Sequence, residues 1–227
     1  MRTDDNPHTL PPEPRAGLAA LMRDGQGRDG RNECARVLAL ARRRGRFLLT
    51  APEGSGKTVL LATLESLFKH GDAALAEWAG VSAEGAWTER RYRVLFLDFA
   101  RLYVATDDES IDIVAEGLGE LMAESLRREG RRPAPDADWE TLFESIVNEA
   151  EYSSLVILVD NLDAPYLDAL SDSALLRSVE RTLGRFVELL DAHREKYRFL
   201  LMARACALGP AAMTTEDGAM RLTDVSF

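Results

Sequence analysis

The segment Ala51-Pro-Glu-Gly-Ser-Gly-Lys-Thr58 carries the sharpest chemical signal in the chain. It matches the phosphate-binding pattern G-x-x-x-x-G-K-[ST], with alanine at the first glycine position. Gly54 and Gly56 allow the backbone to turn so that its N–H groups point at phosphate oxygens. Lys57 brings a compact positive charge to the β- and γ-phosphates, and Thr58 offers a hydroxyl to Mg2+. Ala51, Pro52, Glu53, Ser55 and Val59 complete the nucleotide-binding stretch. The bland alternative is an ordinary glycine turn ahead of a helix. The Lys-Thr pair, with an apolar segment before it and an amphipathic one after, favours the phosphate.

A site of this kind also needs a carboxylate at the end of a neighbouring strand to hold Mg2+, commonly through water. Leu155-Val-Ile-Leu-Val-Asp160 supplies one, about a hundred residues after the loop. Strand ends often carry Asp for turn formation, so the run matters only together with the loop. Asn161 follows at the position where many such ATPases carry a glutamate that activates the attacking water; an amide orients water but cannot take its proton. Asp163 competes for that task, with capping of the turn before Pro165 as its structural alternative. Asp98 ends a second apolar run and reads as a solvated strand end, with a place in the same cleft as the alternative. Arg204 reads equally as a sensor of the γ-phosphate or a surface arginine.

Other chemistries find little support. His8, His70 and His193 have no mutual spacing for metal or acid–base work and read as solvated helix-end or tail residues. Cys34 and Cys206 form neither a disulfide framework nor a metal-ligand spacing, which favours a reducing compartment, the cytoplasm. The arginine clusters at 42–44 and 127–132 lack interleaved aromatics and read as solvated helix ends rather than a nucleic-acid surface. No N-K-x-D run selects guanine, so ATP is the nucleotide by elimination.

The elements that must position these residues alternate between strand and helix. Cys34, Val37, Leu38 and Ala41 fall on one helical face, and the helix ends near Gly45. Arg46 to Thr50 reads as a buried strand feeding the loop, and Leu60, Leu64, Leu67 and Phe68 form one stripe of the helix after it. Val94 to Leu97 is the second strand, Leu155 to Val159 the third and Phe199 to Met202 the fourth; 221–227 is expected to add a short fifth. Helices are expected from about Ser110 to the break at Pro133, from Asp138 to Tyr152 and from Ser173 to His193. The alternation implies an α/β fold with a parallel sheet of four to five strands covered on both faces.

The chain of 227 residues is long enough for one α/β domain, with 1–15 as a flexible, proline-rich tail and 16–227 as the core. Hydrophobic residues at 46% and charged residues at 29% exclude disordered and fibrous classes. A net charge of −10 repels phosphate backbones, so direct nucleic-acid binding is not expected. No segment reaches the roughly 18 apolar residues of a spanning helix, and no membrane role is expected.

RFLLTAPEGSGKTVLLATLESLFKHG, YRVLFLDFARL, SLVILVDNLDAPYLDAL and YRFLLMARACAL together resemble a bacterial family of predicted AAA-type ATPases. Members often carry a C-terminal PD-(D/E)XK-like nuclease. The likeness runs from about Gly17 onward, and DNLDAPYLDAL stands beside the family's usual D-E-Y-D-A-P-L pattern. The resemblance implies a P-loop NTPase of the additional-strand type, in which a strand inserts between the loop strand and the strand bearing Asp160. Beside ATP and Mg2+, which the loop residues call for, three partners stay open: another protein, a C-terminal nuclease within a longer chain, and further copies of this chain. Three departures stand out: the loop lacks the family's Arg-Arg-Phe-Gly-Lys-Ser character, Asn161 replaces an acidic residue, and Ala203-Arg204 replaces Thr-Gly. Lid and nuclease domains are not expected within residues 16–227, so the chain reads either as a fragment of a longer protein or as a minimal ATPase module. A weakly hydrolysing regulatory ATPase is the expectation, with a nucleotide-gated interaction module as its alternative.

Overall fold

The computed structural model describes residues 30–71, 87–102, 112–210 and 222–225, with side chains from residue 35 onward. The 1–15 tail and His8 lie outside them. Five strands form one sheet: β1 (Gly45–Thr50), β2 (Arg93–Asp98), β3 (Leu155–Asp160), β4 (Tyr197–Arg204) and β5 (Thr223–Val225). Their spatial order is β2-β3-β4-β1-β5, and every pairing is parallel. β4 therefore separates the loop strand β1 from β3, which is the additional-strand arrangement.

Among the described residues six helices cover the sheet: α1 (Gly30–Arg42), α2 (Lys57–His70), α3 (Ile113–Arg128), α4 (Trp139–Asn148), α5 (Ala164–Ala169) and α6 (Ser173–Ala192). The period of two along each strand sorts side chains between two cores. Phe47, Leu49, Val156, Leu158, Phe199 and Leu201 meet the apolar stripes of α1 and α2. Leu48, Leu95, Leu97, Ile157, Val159, Leu200 and Met202 meet α3, α4, α5 and α6. All six residues of β3 are buried, as a central strand covered on both sides requires.

Aspartates start three of the helices. The side chains of Asp112, Asp138 and Asp172 accept backbone N–H groups of the first turns of α3, α4 and α6. The helix expected to run to Tyr152 stops at Asn148, and the first helix ends at Arg42 rather than near Gly45. α5 is an element that the 3.6-residue pattern does not betray. It has only 6 residues, too few to show a repeat, and Pro165 occupies its first turn.

Because the strands are parallel, their C-terminal ends share one edge. Thr50, Asp98, Asp160 and Arg204 stand there together. Backbone bonds extend the order past the strand ends: Ala51 N–H donates to the Arg204 carbonyl at 3.1 Å, and Leu162 N–H to the Ala203 carbonyl at 2.9 Å. The loop after β1 and the turn after β3 are thereby both pinned to β4.

Candidate functional site

The loop between β1 and α2 is shaped by two left-handed glycines. Gly54 has φ 71° and Gly56, the N-cap of α2, has φ 91°. A Cβ at either position would meet nothing within 4 Å, so it is the backbone conformation, not crowding, that calls for glycine. Lys57 is 8% exposed, and its ammonium Nζ donates to the carbonyls of Ala51 at 2.7 Å and Pro52 at 2.8 Å. The positive charge thus lies against the two residues that open the loop. Ser55 Oγ is buried without a hydrogen-bond partner, whereas Glu53 and Thr58 are exposed and Val59 is half-buried.

Asp160 is fully buried, and its Oδ2 has no hydrogen-bond partner. Its Oδ1 accepts the backbone N–H of Asn161 at 3.0 Å. Burial pushes its carboxyl above the usual range and the Asp98 charge adds to this, while the Thr58 hydroxyl, the Asn161 N–H and the Lys57 charge pull the other way. Those same groups are therefore the electrostatic neighbourhood of Asp160.

Asp98 and Asp160 are register partners across β2 and β3. Asp98 is half-buried, and its Oδ1 accepts the Asn161 side-chain amide at 2.8 Å and the Ala100 N–H at 3.1 Å. It is thus bonded within the cleft, which corrects its reading as a merely solvated strand end. Asn161 reaches it from a left-handed backbone, φ 53°, which asparagine tolerates better than most residues.

Asp163 is 2% exposed, and its Oδ2 accepts from Ala205 N–H at 2.9 Å, Cys206 N–H at 2.8 Å and Cys206 Sγ at 3.1 Å. It precedes α5 without capping it through its side chain, so the capping alternative is replaced by a tie to the end of β4. The Asp163 carboxylate, accepting from the Cys206 thiol, raises that thiol's pKa. Arg204 donates from Nε to Thr50 Oγ1 at 3.0 Å and from Nη1 to the Leu208 carbonyl at 3.3 Å, joining β4 to the base of the loop.

Two features outside this cleft differ from their sequence reading. His193 is not solvated: Nε2 lies 2.9 Å from Glu144 Oε1 and its ring packs edge-on to Phe143. The arginine cluster after α3 is partly paired, with Arg128 on Glu124 and Arg131 on Glu149. His70 is exposed at the end of α2, as expected.

A turn of left-handed glycines at a helix N-terminus can cradle phosphate oxygens, with Lys57 as counter-charge. The residues fit Mg2+ as well. Asp160 Oδ2 is an oxygen left without a donor, and the Thr58 hydroxyl acts on the same carboxyl. Among the described residues no group of three His, Cys, Asp or Glu forms an all-protein metal cage. Mg2+ is usually held by one or two carboxylates together with substrate phosphates.

The fold therefore gathers Lys57, Thr58, Asp160 and Asn161 at one edge and adds Asp98, while Asp163 faces the β4 end. Sequence reasoning missed the Asn161–Asp98 bond and the buried Ser55 hydroxyl. One signal for Asp98 was present, because VLFLD98 and LVILVD160 share a pattern.

A family model described as Predicted AAA-ATPase matches residues 35–204. No curated protein matches the chain. Among solved structures, the Drosophila ORC bound to poly(dA/dT) DNA and Cdc6 is similar at 14% identity, covering 91% of this chain and 32% of the other, with a TM-score of 0.39. The same assembly on GC-rich DNA gives 12% identity, 99% and 34% coverage, and a TM-score of 0.38. The chain spans about a third of the length of those solved chains.

Proposed function

The chain belongs to the family described as Predicted AAA-ATPase, nucleotide-binding modules of ATPase type, and from that premise we propose that it binds ATP with Mg2+ and hydrolyses it slowly as a regulatory module. The observation that carries this reading is the buried, half-partnered Asp160 at the sheet edge that also bears the Lys57 loop. On binding, Lys57 exchanges the Ala51 and Pro52 carbonyls for β- and γ-phosphate oxygens. The N–H groups of 54–58 and the Ser55 hydroxyl line the phosphates. Thr58 and Asp160 would hold Mg2+, which would supply charge neutralisation to the phosphates.

Slow turnover is expected because no glutamate follows Asp160 to activate the water. Asn161 cannot accept a proton, and Asp163 is engaged by the β4 end, so neither acts as a ready base. The second reading, a nucleotide-gated interaction module that binds ATP without significant turnover, is favoured by that same pair of observations. In either case the bound state would change the grip on a protein partner, on a nuclease segment of a longer chain or on further copies of this one. The setting we propose is the cytoplasm; among the described residues no helix is long and apolar enough to cross a membrane.

Calorimetric titration with Mg-ATP, paired with phosphate release, tests the assignment. Lys57→Ala should bind at least about tenfold more weakly, since the ammonium makes charge-assisted contacts. Equal binding by wild type and variant removes the site. Wild-type phosphate release well below the roughly 10 s⁻¹ typical of enzymes is expected, and none at all selects the second reading.

A further inference from the structure

Asn161 and Asp98 make a carboxylate–amide pair at the mouth of the site. The amide Nδ2 donates to Oδ1 at 2.8 Å, and the Ala100 N–H holds the same oxygen at 3.1 Å. Two donors on one oxygen fix the carboxylate plane and leave the other oxygen, Oδ2, unbonded among the described residues. Asp98 stands on β2 opposite Asp160 on β3, with the two chains about 4.8 Å apart. Asp160, the carboxylate proposed for Mg2+, has an unpartnered Oδ2 of its own. The remaining candidates are taken: Asn161 is an amide, and Asp163 accepts three hydrogen bonds from 205–206. Among the described residues, Asp98 combines a place beside Asp160, a fixed orientation and an oxygen with no hydrogen bond, on a half-buried side chain.

We infer that Asp98 is the proton acceptor for the attacking water and that Asn161 is its positioning residue. The step balances without a further reactant. Water oxygen bonds to the γ-phosphorus while Asp98 Oδ2 takes one of its protons; the bond from γ-phosphorus to the bridging oxygen breaks, and its electron pair leaves on ADP. The proton then passes from Asp98 to solvent, restoring the carboxylate. A base at the end of β2 held by an amide just after β3 is the reverse of a base just after β3 itself, and it accounts for the asparagine after Asp160. The inference rests on nucleotide binding at the Lys57 loop.

The experiment measures phosphate release, nucleotide affinity and melting temperature for wild type, Asp98→Asn and Asn161→Ala, and identifies the nucleotide retained after gel filtration. Asp98→Asn keeps an oxygen for Ala100 and should lower kcat by about 10²-fold or more while KM and affinity stay within about twofold. It should retain ATP uncleaved where wild type retains ADP. Asn161→Ala should lower kcat by about tenfold with unchanged affinity, because the base remains but loses its orientation. A structural role would instead move melting temperature and affinity with kcat. Should the Asn variant not fold, Asp98→Ser, which also caps Ala100, is read in its place. An Asp98 variant that turns over within about threefold of wild type overturns the inference. So does a wild type that binds ATP but releases no phosphate, which leaves the binding reading standing. Failure of wild type to bind ATP is the distinct outcome in which both fall.

Discussion

Arg198 and Glu89 form a two-point ion pair, Nε to Oε2 at 2.9 Å and Nη2 to Oε1 at 2.6 Å, across 109 residues of chain. Arg198 is fully buried at the start of β4, and its guanidinium also donates to the carbonyls of Ala41, Arg42 and Arg43 at the end of α1. A cation at a helix C-terminus satisfies carbonyls that have no partner within the helix. The pair thus fastens α1 to the sheet at the edge opposite the nucleotide loop.

This pair makes stability depend on acid. Burial alone pushes the Glu89 carboxyl up, but hydrogen bonds from Arg198 and Tyr92 and the charges of Arg198 and Arg44 outweigh it and hold the group below its ordinary value. The folded protein then binds this proton more weakly than the unfolded chain does. The contribution is complete above the ordinary glutamate value and is lost as pH falls through the lower, folded one. Glu89→Gln should cost about 3 kcal/mol at pH 7, because Arg198 loses its counter-charge, and should flatten the acid limb. Urea midpoints between neutral and acid pH check this; parallel curves for variant and wild type would refute it.

Asp163→Ala should destabilise the fold. It removes a charged acceptor from the Ala205 and Cys206 N–H groups, a loss of about 1.5–3 kcal/mol per bond before relaxation. Chemical denaturation reads the loss, and a variant as stable as wild type would show the tie to be dispensable.

Asp160→Asn should do the opposite. A fully buried carboxylate with an unpartnered oxygen costs stability, so the neutral isostere should gain about 1–3 kcal/mol in the absence of nucleotide. That corresponds to a rise of roughly 2–4 °C per kcal/mol in a chain of this size. The same substitution should abolish the Mg2+ dependence of ATP binding. Calorimetric scans with and without Mg-ATP measure both effects, and a lower melting temperature would contradict the first.

Gly56→Ala should cost about 1–2 kcal/mol through backbone strain at φ 91°, with no steric clash to add to it. Nucleotide affinity should fall as the loop shifts toward a right-handed conformation. Unchanged melting and affinity would mean that the loop adapts freely.

The amino-acid sequence by itself determined the features whose partners are close along the chain. The glycine loop declares itself because its glycines, Lys57 and Thr58 form a recognisable pattern within eight consecutive positions. β3 and Asp160 were legible because six apolar-to-acidic residues in a row leave only a buried strand with a polar end. Tertiary structure decided which strand ends face each other. Asp98 meets Asn161 across 63 residues, Asp163 meets Cys206 across 43 and Arg198 meets Glu89 across 109. Periodicity along one element says which face is apolar, but those three bonds depend on strand order and register. Order and register are set only when both faces of the sheet are packed at once.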